Sequence, residues 1–268
     1  MSEEKARETA ACAPVRLTAG DEVALRQSAQ GDLVLLSRLH GAELDAESLK
    51  ELRDTSFAQF IALLPESDEA RQALSVIDRG WKVLDEPGEA RLLDVLAADY
   101  AATYLTYQHR VAPTESVWLT EDSLDRQEPM LEVRKWYERF GAAATDWRKM
   151  PDDHIALQLA FLAHALMLRD EDGAFVFSLE DAARFLDAHL LLWLDDFAAA
   201  AAAKCDTPFY AGLAMFTRAW VMAFRTTLER LTGIAPPTEE DKARAKKSIQ
   251  PAAKETEQPY VPGMGPAV

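Results

Sequence analysis

The chain has 268 residues, 49% of them apolar, enough to bury a full core in one large domain or two small ones. Its formal net charge of −16 argues against binding to nucleic-acid phosphates or anionic lipid; it suits a cationic partner, or simply keeps the protein soluble. The two cysteines, Cys12 and Cys205, have no neighbouring Cys or His at ligand spacing. That argues against a disulfide framework or a cysteine-based zinc motif and fits free thiols in a reducing cytosol.

Residues 1–18 read as a disordered arm, charged and without the apolar core of a secretory signal. Asp21 is placed to cap a first helix running to about His40, with Gly41 as its stop. A second helix is expected from about Asp45 to Leu64, ended by Pro65. Ala70, Leu74, Ile77, Trp81 and Leu84 recur at four- and three-residue steps, one apolar stripe on a third helix. Pro87 fits the first turn of a fourth, lined by Leu92, Leu93, Leu96, Tyr100 and Tyr104. A long connection from about His109 to Pro129 follows, and connections of that length are commonly functional.

Val133, Trp136, Tyr137 and Phe140 mark a fifth helix stopped by Gly141. Pro151 and Asp152 open a sixth, and Ser178 with Asp181 resembles a capping box for a seventh carrying Phe185, Leu186, His189, Leu190, Trp193 and Phe197. Pro208 opens the last long helix, with Phe209, Leu213, Phe216, Trp220, Phe224, Leu228 and Leu231 inward and Gly233 past its end. Residues 235–268 read as a flexible, Pro-rich tail. No segment alternates as a strand does. The expectation is an all-α fold, a single-domain bundle of about eight helices spanning residues 19–234. The longest apolar run, Leu190–Ala203, is interrupted by Asp195 and Asp196, so no membrane span is expected.

Two segments stand out: Pro113-Thr114-Glu115-Ser116-Val117-Trp118, and Met150-Pro151-Asp152-Asp153-His154 leading into an apolar helix. An Asp before such a helix accepts hydrogen bonds from first-turn N–H groups, which alone explains Asp152 and Asp153; His154 then bonds a neighbouring loop. As a metal or acid/base site the triplet is poor, because adjacent helical residues point about 100° apart. Trp118 is either a plug on the core or an anchor at a binding surface. No nucleophile elbow, phosphate loop or dinucleotide fingerprint is present, so no enzyme, metal or resident cofactor is expected.

Together the two segments resemble the paired P-x-E-S-V and P-x-D-H signatures of the TorD/DmsD family, over about residues 90–230. Phe161-Leu162 match the family's apolar pair, and Gln158 stands where Glu is common. Three departures are visible: Met150 replaces an acidic residue, Thr103 replaces a Leu in the aromatic pattern that ends the fourth helix, and the glycine that follows that pattern is missing. The resemblance implies a cytoplasmic chaperone for an exported molybdopterin oxidoreductase. It would bind the catalytic subunit or its twin-arginine signal peptide until the cofactor is inserted. The expected client-binding residues are Asp99, Tyr100, Tyr104, Pro113, Glu115, Ser116, Trp118, Asp152, Asp153 and His154. In that reading Tyr100, Tyr104 and Trp118 line an aromatic groove, and Asp99, Glu115 and Asp153 pair with guanidinium groups. Alternatives are a factor that binds guanine nucleotide or the molybdenum cofactor, and a helical adaptor unrelated to export. The oligomer is open between monomer and helix-exchanged dimer.

Overall fold

The computed structural model describes residues 14–83 and 89–249, with side-chain environments for 14–80 and 91–249. Eleven α-helices make up the described residues: α1 (Ala19–Gly41), α2 (Ala46–Asp54), α3 (Asp68–Val83), α4 (Glu89–Tyr100), α5 (Glu115–Leu119), α6 (Glu128–Arg139), α7 (Ile155–Met167), α8 (Leu179–Ala188), α9 (Leu190–Lys204), α10 (Pro208–Thr232) and α11 (Glu239–Ile249). No strand occurs among them, so the chain is all-α; two isolated bridges, Thr114 to His154 and Arg169 to Phe175, are the only sheet-like pairings. Three helices exceed the expected eight. The long connection contains α5, the expected seventh helix is broken into α8 and α9 at His189 (φ −127°, ψ −91°), and α11 falls in the stretch expected to be a flexible tail. The surface of α11 is charged, but Ala245 and Ile249 touch the core and Lys246 reaches Asp196 at 3.1 Å. Trp81, Leu84, Pro87, Cys12, most of the expected arm and residues 250–268 lie outside the described residues or side chains.

The central element is α10. Its buried residues include Phe209, Leu213, Phe216, Trp220, Phe224 and Leu228, and it packs on α3, α8 and α9. A helix apolar on most of its circumference belongs inside a bundle. Pro208 occupies its first turn and Gly233 (φ 74°) closes it in the left-handed conformation. Gly212 lets α3 come close: a Cβ there would lie 2.7 Å from Ile77 Cγ1 and 2.9 Å from Ile77 N. The other strong pair is α1 on α7.

Helix boundaries follow caps that composition leaves ambiguous. Thr18 caps α1 by accepting from Asp21 N at 3.1 Å, so Asp21 sits inside the helix rather than at its cap. Asp45 caps α2 as a short helix ending at Asp54, and of the remaining stretch expected to be helical up to Leu64 only a 3-10 turn (Phe57–Phe60) is helical. The capping box of Ser178 and Asp181 forms as expected. No helix among the described residues is long and apolar enough to cross a membrane.

Buried polar side chains join the frame. Asp32 accepts from Ala62 N (2.7 Å), Leu63 N (2.8 Å) and Trp220 Nε1 (2.9 Å). His40 contacts Tyr104 Oη at 2.7 Å and Thr217 Oγ1 at 2.9 Å. The Thr217 hydroxyl donates to Leu213 O, so it accepts from His40 Nε2–H, and His40 Nδ1 accepts from Tyr104. Burial lowers the pKa of this imidazole to about 3, which fits its neutral role.

Candidate functional site

The chain between α4 and α6 departs from regular helix at its start. Residues Ala101–Leu105 form a π-helical turn, with Thr106 N donating to Ala101 O at 2.9 Å. Such turns are frequent at functional sites. Beyond it, Tyr107 (φ 51°), Arg110 (φ 52°), Ser123 (φ 48°) and Arg126 (φ 58°) adopt the left-handed conformation, the only non-glycine residues to do so among those described. Each costs on the order of 1 kcal/mol, so the surrounding contacts must hold this backbone in place.

The second signature holds the stretch between these residues. Ile155 N donates to Pro113 O at 2.8 Å and Glu115 N to Asp153 O at 3.1 Å, so residues 113–115 and 153–155 pair as a short antiparallel bridge. The Asp153 carboxylate accepts from Ser116 N (2.8 Å) and Ser116 Oγ (2.6 Å), and Ser116 Oγ in turn accepts from Gln127 N. One aspartate thus fixes both the start of α5 and the approach to α6. Burial pushes the Asp153 carboxyl up to about 6, against the Ser116 hydrogen bonds that favour the charged form.

Glu115 is buried beside it. Its Oε2 accepts from Gln158 Nε2 at 2.9 Å, and its Oε1 lies 3.1 Å from His189 Nδ1. Gln158 Nε2 also donates to Asp153 O at 3.0 Å. His189 is delivered by the break between α8 and α9, which is why the expected continuous helix is interrupted there. Asp152 receives Arg134 (Nη2 at 2.7 Å, Nε at 3.2 Å), and its carbonyl accepts from Tyr137 Oη at 2.7 Å. The cap of α7 is His154, not an aspartate: its Nδ1 accepts from Ala156 N at 3.1 Å. A cap that accepts must be unprotonated at that nitrogen, and burial lowers the His154 pKa to about 3.

The ten sequence-predicted residues therefore separate into three groups. Pro113, Glu115, Ser116, Asp152, Asp153 and His154 come together as one buried polar cluster. Asp99, Tyr100 and Tyr104 belong to the core: the tyrosine rings stack at 4.8 Å, and Asp99 accepts from Thr207 N (2.8 Å) and Oγ1 (2.5 Å) at the start of α10. Trp118 alone lines an open cleft. Asp99, Glu115 and Asp153 are at most 1% exposed and accept hydrogen bonds from internal donors, so the expected guanidinium pairing is corrected: none of them presents a carboxylate edge that an arginine of a docked peptide can reach. A buried charge without a partner is costly, so each aspartate or glutamate has been taken up by the fold. The three-ring groove is corrected likewise, because Tyr100 and Tyr104 are only 4% exposed.

The cleft has a volume of about 570 Å³ and is lined by Tyr107, Arg110, Ala112, Val117, Trp118, Ser123, Leu124 and Asp125. Trp118 Nε1 donates to Ala112 O at 2.8 Å, which fixes the indole with its face available. Leu124 is 56% exposed at the rim. Tyr107, Arg110, Leu124 and Asp125 were not singled out by sequence. The only signal pointing to them was the length of the connection. The arrangement suits recognition of an apolar side chain beside polar groups, and it contains no nucleophile–base pair.

A model of the nitrate reductase delta subunit family matches residues 63–199, which include α5, α6 and α7 and hence both signatures. Curated relatives named chaperone protein TorD align over most of the chain. The one from Shewanella piezotolerans is 30% identical, covering 74% of this chain and 89% of the relative. That from Shewanella oneidensis is 29% identical (73% and 88%), and that from Vibrio vulnificus 28% identical (65% and 82%). These relatives are chaperones, of a family that is not catalytic. Match and relatives agree with the two joined signatures: the chain belongs to the TorD/DmsD family of redox enzyme maturation chaperones.

Proposed function

We propose that the chain is a cytoplasmic chaperone dedicated to one exported molybdoenzyme, and that the cleft at Trp118 receives the client's twin-arginine signal peptide or an apo-enzyme segment. It holds the client until the cofactor is inserted and then releases it for twin-arginine export. The observation that carries this reading is the cleft itself: an anchored indole, an exposed Leu124 and strained walls, built directly on the two signatures. Val117, Trp118 and Leu124 take apolar side chains of the leader. Asp125, already paired with Arg126, is the rim carboxylate that a guanidinium of the leader can share. The net charge of −16 attracts the cationic leader at longer range.

Two apolar anchors contribute about 2 kcal/mol each, and a charge-assisted contact about 1.5–3 kcal/mol. Ordering the peptide costs about 2–5 kcal/mol. The difference supports weak, reversible binding, as hand-off requires. The test is purification of the chain from its native cells with mass spectrometry of the bound partner, followed by titration with that partner's leader peptide. A molybdoenzyme precursor that still carries its leader, and a Trp118→Ala variant that binds the peptide at least about tenfold more weakly while staying folded, are the expected results. Unchanged peptide affinity in Trp118→Ala would remove the cleft from the account. Absence of any molybdoenzyme from the purified complex, in cells that express one, would remove the client.

A further inference from the structure

The loop that walls the cleft is anchored at a second point, away from the polar cluster. His109 lies between Tyr107 and Arg110 and turns inward. Its Nε2 lies 3.5 Å from Asp99 Oδ1 and 3.4 Å from Asp206 Oδ2. That nitrogen is screened from solvent and makes no hydrogen bond among the described residues, although two carboxylate oxygens face it. The three donor atoms lie within 4.8 Å of one another and come from three segments: the end of α4, the 107–110 loop and the turn from α9 to α10.

We propose that Asp99, His109 and Asp206 form a binding site for a divalent transition-metal ion, zinc fitting the donor set best. An ion held at about 2.0–2.2 Å by nitrogen and oxygen in tetrahedral geometry separates its ligand atoms by roughly 3.3–3.5 Å. The two distances from Nε2 are of that size. One imidazole with two carboxylates suits zinc and its neighbours in the first transition row; magnesium and calcium prefer oxygen alone.

The surroundings hold the ligands in register. Asp99 is locked through Oδ2 by Thr207 N and Oγ1, and its Oδ1, which accepts from Asp206 N at 3.1 Å with a lone pair to spare, lies beside His109 Nε2; such outer hydrogen bonds are what orient a ligating carboxylate. Asp206 is 72% exposed on the opposite side, so the fourth position opens to water. The sulfur of neighbouring Cys205 is turned to Thr103 Oγ1 at 3.6 Å instead. A bound ion fastens residues 107–110, and with them the cleft wall, to the ends of α4 and α10.

The test uses the full chain without an affinity tag, stripped with chelator, and titrated with zinc chloride by calorimetry and with cobalt(II) by visible absorption. One saturable zinc site is expected, with cobalt bands typical of low coordination, no displacement by magnesium, and at least tenfold weaker zinc binding in His109→Ala and in Asp206→Asn. Asp206 is exposed and outside the core, so its variant reports on the site even if His109→Ala fails to fold. Absence of saturable zinc binding by the natural chain overturns the proposal. So does zinc binding that is unchanged in Asp206→Asn, which would place the ion elsewhere.

Discussion

Helices α3 and α10 and the connection from α4 to α6 solve opposite problems. The former meet through a regular stripe, with Gly212 against Ile77, well-placed caps, and no left-handed residue before the glycine that closes α10. The latter has a π turn, four non-glycine residues at positive φ, and a surface cleft of about 570 Å³. Its shape is held by groups from elsewhere in the chain, chiefly Asp153. The frame is stable because each local preference agrees with the global fold. The connection is shaped because the frame overrules local preference, and binding surfaces of this kind are typically carried by such segments.

The comparison breaks most severely at Asp32. Asp32→Ala strands the two backbone donors and the Trp220 indole, and unfolding free energy should fall by about 4 kcal/mol in urea titration, with leader-peptide affinity of the folded fraction unchanged. A large loss of affinity per folded molecule would show that frame and connection are not separable.

Acid acts on both regions. His40 in the frame and His154 beneath the cleft have pKa values lowered to about 3, below the ordinary 6.5. Their stabilisation is complete above pH 6.5 and is lost as pH falls toward 3, because the unfolded chain takes up protons first. Each should cost about 2 kcal/mol between pH 6.5 and 5. Asp153 works the other way: its carboxyl, raised to about 6, favours the folded state as pH falls from 6 toward its ordinary value, returning about 1 kcal/mol over the same interval. Urea midpoints at pH 7 and pH 5 measure the net loss. His154→Ser, which keeps a capping side chain, should remove the share of the histidine beneath the cleft. An unaltered pH profile in that variant would count against a neutral His154 cap.

The smallest expected effect is on the strained wall. Arg110→Gly relieves the left-handed conformation but frees the unfolded chain, for a net gain of about 0.5–1 kcal/mol measured in urea. A loss of stability there would mean that the Arg110 side chain, rather than its backbone, holds the wall.

Sequence periodicity locates the frame because a helix apolar at three- and four-residue steps has one way to bury that stripe: Pro208 and Gly233 bound α10 as expected, and Ala70, Leu74 and Ile77 of the α3 stripe face the core. Where two polar residues compete for one structural role, residue type does not decide between them. Asp21 was expected to cap α1 and Asp152 to open α7, but Thr18 and His154 serve, since a cap is selected by how the preceding chain approaches as much as by residue type. The site was legible as two signatures and not as a surface. Glu115 and Asp153 look like cation ligands in a sequence; only the packing shows that internal donors have already claimed them. Tyr107 and Arg110 carry no sequence mark of positive φ, because their conformation is imposed from outside. Asp99, His109 and Asp206 are separated along the chain and converge only in three dimensions.

The bridge between Thr114 and His154 has a consequence for how relatives can exchange parts. Pro113 supplies a carbonyl to Ile155, Ser116 takes its place from Asp153, and Gln158 reaches back to Glu115. The two signatures are thus one structural module written in two instalments. Transplanting either alone from another family member should leave donors facing donors across the seam, whereas moving both together should carry the cleft's floor intact and leave its rim, at Tyr107, Leu124 and Asp125, free to diverge with whatever it must recognise.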